Sequence, residues 1–237
     1  MIDLSCLGGN KNILNIFNIL RYKRAFAKEH PGYFRPDGLL IFCGAQGEGK
    51  TLSAVDYVKK LSWDYPRAII CTNVDIKGLN PLCKVVEYQG LESLTSIENG
   101  YYGVIYLIDE IHLEFNSLES KNIPIEVMIE VSQQRKQRKH IVGTSQQFMR
   151  LAKPLREQVK NLVICRKMFG CMQFNKLIDG STITERDGHI RMEIKKRCIW
   201  FHSPEMYDSY DTYKKMRRYR EEWQGVSRSS IYSDINV

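Results

Sequence analysis

An apolar, strand-sized run at residues 39–43 ends in Gly44-Ala45-Gln46-Gly47-Glu48-Gly49-Lys50-Thr51. The residues that follow carry Leu52, Val55, Val58 and Leu61 at helical spacing. A buried strand, a glycine-rich turn and a helix in that order leave few options for the chain around them. The octet fits G-x-x-x-x-G-K-[ST] in full, in the strand-to-helix context that gives the pattern its meaning. Glycines let backbone N–H groups wrap an anion without side-chain clashes, and a helix N-terminus adds positive potential. Lys50 is the residue to reach β and γ phosphates, and the Thr51 hydroxyl is a ligand for Mg²⁺. Residues 44–51 are therefore expected to hold ATP with Mg²⁺.

Such a site needs carboxylates at the end of a second buried strand. Val104-Ile105-Tyr106-Leu107-Ile108 runs into Asp109-Glu110, about 60 residues after the glycine loop. Asp109 is expected to hold Mg²⁺ through water and Glu110 to polarise the attacking water. The adjacent glutamate favours ATP hydrolysis coupled to motion over a small-molecule kinase, the competing reading of the loop. His112, two residues on, is read as a neighbour packing on or capping this loop, with a catalytic role as the alternative.

The rest of the chain alternates between strand and helix patterns. Residues 12–28 read as a helix with Ile13, Ile16, Phe17 and Leu20 at helical spacing, followed by Arg21, Lys23, Arg24 and Lys28. It is read as packing outside the core, with a basic arm touching a subunit, membrane surface or nucleic acid as the alternative. Strands are expected at 67–73, 84–88, 102–108 and 140–145, and a helix at 124–134, which gives an α/β domain with a mainly parallel sheet. Beyond residue 161 come short strand-like runs at 162–167, 171–177, 181–185 and 189–195, with a hairpin signal at Asp187-Gly188. The expected domains are an N-terminal helical arm (1–37), a P-loop core (38–160), a β-rich extension with a basic C-terminal helix (161–226) and a mobile tail (227–237).

Hydrophobic residues make up 43% and charged residues 26% of the 237, which excludes a mostly disordered chain. No apolar run approaches the ~18 residues of a membrane span. The first 20 residues lack a basic n-region followed by a small-residue cleavage site, so no signal peptide is expected. Seven cysteines without a C-x-x-C spacing read as reduced cytoplasmic thiols, some of them in the core. Residues 133–160 hold eight basic residues against the single acid Glu157, a net +7 out of +8 for the whole chain. Clustered charge of that kind attracts a phosphate backbone without sequence preference. Arg150, Lys153 and Arg156, after the strand at 140–145, are the expected DNA contacts. Tyr207, Tyr210 and Tyr213 with Lys214, Lys215, Arg217, Arg218 and Arg220 could stack on single-stranded bases or pack as a terminal helix.

Arg135, then a strand, then Thr144-Ser145-Gln146 resembles the closing sequence of the FtsK/HerA superfamily of ring ATPases that pump DNA. The similarity extends to the Zot-like ATPases of bacterial viruses and to viral genome-packaging ATPases. It is carried by Leu155-Arg156-Glu157-Gln158-Val159, by Cys165-Arg166-Lys167-Met168-Phe169-Gly170 and by Tyr207-Asp208-Ser209-Tyr210. The match spans roughly residues 38–213. It implies a RecA-like P-loop (ASCE) core plus a small β-rich C-terminal extension, working as a hexameric or pentameric ring that translocates DNA. It implies Arg135 as an arginine finger offered to the neighbouring subunit, with Arg138 as the alternative, and Gln146 as the link from γ-phosphate to the basic loop. Zot-like proteins of filamentous phages usually carry a membrane span after this region, and none is present in this sequence. The expectation is therefore genome packaging in the host cytoplasm or on a virion, with a capsid or portal vertex as partner. A Zot-like assembly or secretion ATPase that moves protein at a membrane is the alternative.

Overall fold

The computed structural model describes residues 13–211, apart from 31, 36, 187 and 188. In chain order the elements are α1 (Ile13–Glu29), β1 (Leu39–Cys43), α2 (Lys50–Asp64), β2 (Ile69–Thr72), β3 (Asp75–Ile76), β4 (Lys84–Glu87), α3 (Glu92–Ser96) and β5 (Val104–Ile108). There follow α4 (Ile125–Gln133), β6 (Lys139–Ser145), α5 (Lys153–Arg156), β7 (Val159–Met168), β8 (Met172–Asp179), β9 (Thr184–Arg186) and β10 (His189–Arg191). The last are β11 (Ile194–Phe201), α6 (Pro204–Tyr207) and β12 (Tyr210–Asp211). The chain divides into an N-terminal unit ending at Tyr33 and a second unit from Phe34 onward. In the first, the rings of Tyr22, His30 and Tyr33 gather around Phe26.

The second unit is built on one eight-stranded sheet, ordered β11-β8-β7-β1-β6-β5-β2-β4. The six strands from β7 to β4 are parallel; β8 adds antiparallel to β7, and β11 antiparallel to β8. The β-rich extension expected after residue 161 is thus an extension of the sheet itself. Among the described residues two two-stranded ribbons stand apart, β9–β10 and β3–β12, and the expected turn of the first, at 187–188, lies outside the described residues. The expected C-terminal basic helix and mobile tail also lie outside them. Among the described residues no helix is long and apolar enough to cross a membrane.

A strand covered on both faces reads as an unbroken apolar run, and the central strands do. Leu40 and Phe42 join Ile105, Leu107, Val142 and Val163 on the face that α2 covers with Ala54, Val55 and Val58. Leu39, Ile41, Tyr106, Ile108 and Leu162 point the other way, to Val127 and Val131 of α4 and Leu155 of α5. Full burial of Val55 and of Val58 stabilises by roughly 1.5–3 kcal/mol each. Parallel strands share a direction, so the loops at their C-terminal ends, after β1, β2, β5 and β6, meet at one edge.

Two cations of the basic segment have carboxylate partners within this fold, Lys139 in the interior and Lys160 at the surface. Lys139 is buried and donates to Glu130 Oε2 at 2.7 Å and to the Leu94 carbonyl at 2.8 Å. Lys160 pairs with Asp37. Both were counted into the +7 available to a polyanion, and Lys139 is withdrawn from it because its ammonium is enclosed.

His140, beside Lys139, is buried between Tyr57 and the Gly38 carbonyl. Its Nδ1–H donates to Gly38 O at 2.7 Å, which leaves Nε2 to accept from the Tyr57 hydroxyl at 3.0 Å. Burial lowers its pKa to about 4 against the nearby Asp37, while Lys160 pushes the same way as burial. The folded chain resists a proton that the unfolded chain accepts near 6.5. Stability is therefore expected to fall as pH drops from about 6.5 to 4, by on the order of 3 kcal/mol from this residue. Thermal melts of wild type and His140→Gln across that range check this: the variant should lose stability less steeply, and parallel curves would refute it.

Candidate nucleotide site

The glycine loop leaves β1 at the C-terminal edge of the sheet and enters α2. Gly49 stands at the helix N-cap with φ 76° and ψ 23°, a left-handed conformation that favours glycine, and it brings no side chain to cap the helix. The first-turn amides of α2 are left for an anion. A Cβ on Gly49 would lie 2.2 Å from Gln173 Oε1, and one on Gly44 2.7 Å from the Cys165 carbonyl, so neighbours approach the loop from β7 and β8 as closely as glycine permits. Lys50 is buried and its ammonium curls back to the Ala45 carbonyl at 3.0 Å.

Asp109 is the node of the site. Its Oδ1 accepts from the Thr51 hydroxyl at 2.9 Å and from the Thr144 hydroxyl at 2.7 Å. Its backbone is clasped by Asn73, whose Oδ1 accepts from Asp109 N–H at 2.8 Å and whose Nδ2 donates to Asp109 O at 3.2 Å. The start of α2 and the ends of β2, β5 and β6 all converge on this one residue. A hydroxyl and a carboxylate are hard oxygen donors and fit Mg²⁺.

Glu110 follows in the left-handed region, φ 54° and ψ 47°, with its N–H given to Thr144 Oγ1 at 2.9 Å. That conformation turns the chain sharply out of β5. Its Oε2 is shielded from solvent and makes no hydrogen bond, although His112 Nδ1 lies 3.2 Å away. His112 is buried, 3.3 Å from Ser145 Oγ, at the end of β6. Burial pushes the Cys43 and Cys165 thiols up to about 12, so neither beside the loop supplies a thiolate near neutral pH. Burial, and then the charge of Asp109, also push the Tyr210 phenol up; its strand β12 pairs with β3.

Gln146 directly follows β6, at the same edge of the sheet as the glycine loop, and its Oε1 accepts from Arg150 at 3.3 Å. Lys153 is exposed on α5, and Arg156 donates to Met149 Sδ at 2.6 Å. The segment is tied to the chain after Glu110 by Ala152 N–H to Phe115 O at 2.8 Å and by a bridge between Asn116 and Leu151. Arg135 is elsewhere: exposed, in the turn between α4 and β6, at the opposite edge of the sheet. Arg138, φ 55°, is beside it and accepts Val104 N–H on its carbonyl. The seven residues of β6 put ~20 Å between that turn and Gln146.

On the other side of β1 from Asp109, a cavity of about 430 Å³ opens beside Gly44, Ala45 and Glu48, walled by Arg166, Phe174 and Lys176. Neither this cavity nor Asn73, Thr144 as a ligand of Asp109, nor Gln173 is legible in the sequence as a site. The one available signal is positional: Asn73, like Asp109, is a polar residue just past an apolar strand.

A left-handed non-glycine residue costs about 1–2 kcal/mol. Glu110→Gly is therefore expected to raise stability, by up to about 1 kcal/mol after the added freedom of the unfolded chain is counted. Urea denaturation checks it, and a less stable variant would refute the strain.

A scan against protein-family models finds no match, and a search of curated proteins finds none. Among solved structures, the N-terminal domain of zonular occludens toxin from Neisseria meningitidis is 18% identical. That match covers 73% of this chain and 98% of that one, at a TM-score of 0.50. The genome packaging NTPase B204 from Sulfolobus turreted icosahedral virus 2, in complex with ATP-γS, is 11% identical over 66% of this chain and 96% of that one, at 0.49. The flagellar accessory protein FlaH from Methanocaldococcus jannaschii is 12% identical over 72% and 95%, at 0.42. At these identities the likeness is one of fold. A mainly parallel sheet, the complete glycine loop after β1 and the carboxylates after β5 together give this chain a RecA-like P-loop fold, of the kind seen in the N-terminal domain of zonular occludens toxin.

Proposed function

We propose that this chain is an ATP-driven DNA translocase that works as a ring and packages a viral genome. The observation that carries the ATPase part is the hydrogen bond from Thr51 to Asp109, with Glu110 next in the chain. Loop amides and Lys50 bind the phosphates, while Thr51 and Asp109 would hold Mg²⁺. When bound, that ion neutralises charge on the β and γ oxygens. Glu110 takes the proton of the attacking water, and its unbonded, shielded Oε2 suits an acceptor. The γ end lies toward Asp109, so the base and ribose run the other way, into the cavity beside Phe174.

Coupling to DNA rests on Gln146 and the basic segment it touches. The bond to Arg150 links the end of β6, beside the γ position, to the first of the proposed DNA-contacting cations, followed by Lys153 and Arg156. Arg135 stands too far from its own glycine loop to serve it, so as a finger it would act on a neighbouring subunit. That requirement, together with the resemblance to ring ATPases, supports the oligomer.

Lys50→Ala is expected to abolish nucleotide binding, and Glu110→Gln to retain binding and lose hydrolysis. Turnover by Glu110→Gln at the wild-type rate would overturn the assignment. The triple variant Arg150→Ala, Lys153→Ala, Arg156→Ala should lower DNA-stimulated hydrolysis more than basal hydrolysis. Its residual DNA affinity should depend less steeply on salt. Activity raised by a coat or membrane protein, and indifferent to DNA, would favour the assembly or secretion reading instead.

An arginine finger is typically worth ~10³–10⁵ in rate. Mixing Arg135→Ala with Lys50→Ala subunits should therefore restore part of the activity at interfaces that pair an intact loop with an intact arginine. Full activity of Arg135→Ala alone, with no recovery in the mixture, would remove the finger and weaken the ring.

A further inference from the structure

The glycine loop has a second set of contacts that touches neither phosphate nor metal ligands. Gln173, on β8, is fully buried between Lys167 of β7 and Trp200 of β11 in the sheet. Its Nε2 donates to the Glu48 carbonyl at 3.0 Å and to Asn175 Oδ1 at 2.8 Å. Asn175 Nδ2 donates in turn to Ser53 Oγ, in the first turn of α2, at 3.1 Å. The Glu48 carboxylate accepts the Lys167 backbone N–H at 2.5 Å. Gln173 Oε1 occupies the space a Cβ on Gly49 would need. Loop and helix start are thus gripped together from one strand.

The amide is held in this orientation from outside the sheet. Both Gln173 N–H groups are committed, so its oxygen must accept, and His202 Nε2 at 3.1 Å must carry the proton. His202 sits just past β11, with its backbone N–H on Cys171 O at 2.7 Å. With the proton on Nε2, Nδ1 accepts the Tyr207 hydroxyl hydrogen at 2.6 Å, and the Tyr207 oxygen lies 3.1 Å from the Gly170 carbonyl in the β7–β8 turn. A polar chain therefore runs from α6 through His202 and Gln173 to the loop backbone.

We infer that Gln173 is a positioning residue for the nucleotide site and that His202 sets its orientation, so that the segment 202–207 after β11 controls how well ordered the loop is before nucleotide arrives. Gln173 touches no reacting atom. Its loss leaves the Glu48 carbonyl and Asn175 Oδ1 without a donor and lets the loop sample conformations that nucleotide must then reorder. The effect falls on binding, because once nucleotide is bound its phosphates hold the loop themselves. This inference rests on the reading that the loop takes a nucleoside di- or triphosphate.

The test is titration of ADP, together with the steady-state kinetics of ATP hydrolysis, on four variants of the full chain. Gln173→Leu keeps the shape and removes the amide. His202→Phe keeps a ring without a donor, and His202→Gln keeps a donor without a ring. Lys50→Ala is the control. Gln173→Leu should weaken ADP roughly tenfold and raise KM for ATP alike, with kcat within about twofold. His202→Phe should weaken ADP several-fold, and His202→Gln should bind close to wild type. Melting without nucleotide separates a loop effect from general damage. Wild-type ADP affinity in Gln173→Leu, equal affinities for the two His202 variants, or a loss of kcat with KM unchanged would each overturn the inference. If Lys50→Ala binds ADP as well as wild type does, the nucleotide reading itself fails, whatever the other variants show.

Discussion

The site depends on one carboxylate oxygen. Asp109 Oδ1 accepts two hydroxyl hydrogens, from Thr51 on α2 and from Thr144 on β6, while Asn73 holds the same residue by its backbone from the end of β2. Removing any partner leaves a nearly buried acceptor or donor unmet, at roughly 1–3 kcal/mol. That asymmetry is why three loops from separate strands stay in register at one edge of the sheet. The parallel order of β1, β6, β5 and β2 is what delivers them there.

The same node orders a strained residue. Glu110 adopts a left-handed backbone, and the Thr144 hydroxyl that donates to Asp109 also accepts the Glu110 N–H. One side chain therefore positions both acids, the proposed metal ligand and the proposed proton acceptor, at adjacent positions of the chain. The strain is tolerated because the neighbouring bonds over-determine it, and the carboxylate oxygen Oε2 is shielded from solvent with His112 Nδ1 3.2 Å away. On the opposite flank of β1 the loop is braced from β8, so the glycine turn is held from both sides.

Much of the core was legible in the residues. The buried runs at β1, β5 and β6, the stripe on α2 and the octet at 44–51 follow from periodicity and from the conformational freedom of glycine, which are local properties. The acids after β5 were legible because an apolar run that stops at two carboxylates has few other uses beside such a loop. The membership of β7, β8 and β11 in the main sheet was not, because a strand's partners depend on hydrogen bonds to residues far away in sequence. Gln173 looked like an ordinary strand position, and Lys139 like one more surface cation, for the same reason.

What the sequence determined by itself was the kind of site: glycines where backbone must meet phosphate, a lysine and a threonine to follow, and acids at a strand end. Those demands act within a few residues and leave their mark on local composition. What only the tertiary structure decided was which side chains stand opposite one another. Asn73 and Thr144 reach Asp109, Gln146 reaches Arg150, and Arg135 lies at the far edge of the sheet from the loop it resembles a partner for. Burial and hydrogen-bond direction depend on the packing of several strands at once, and no stretch of sequence carries that information alone.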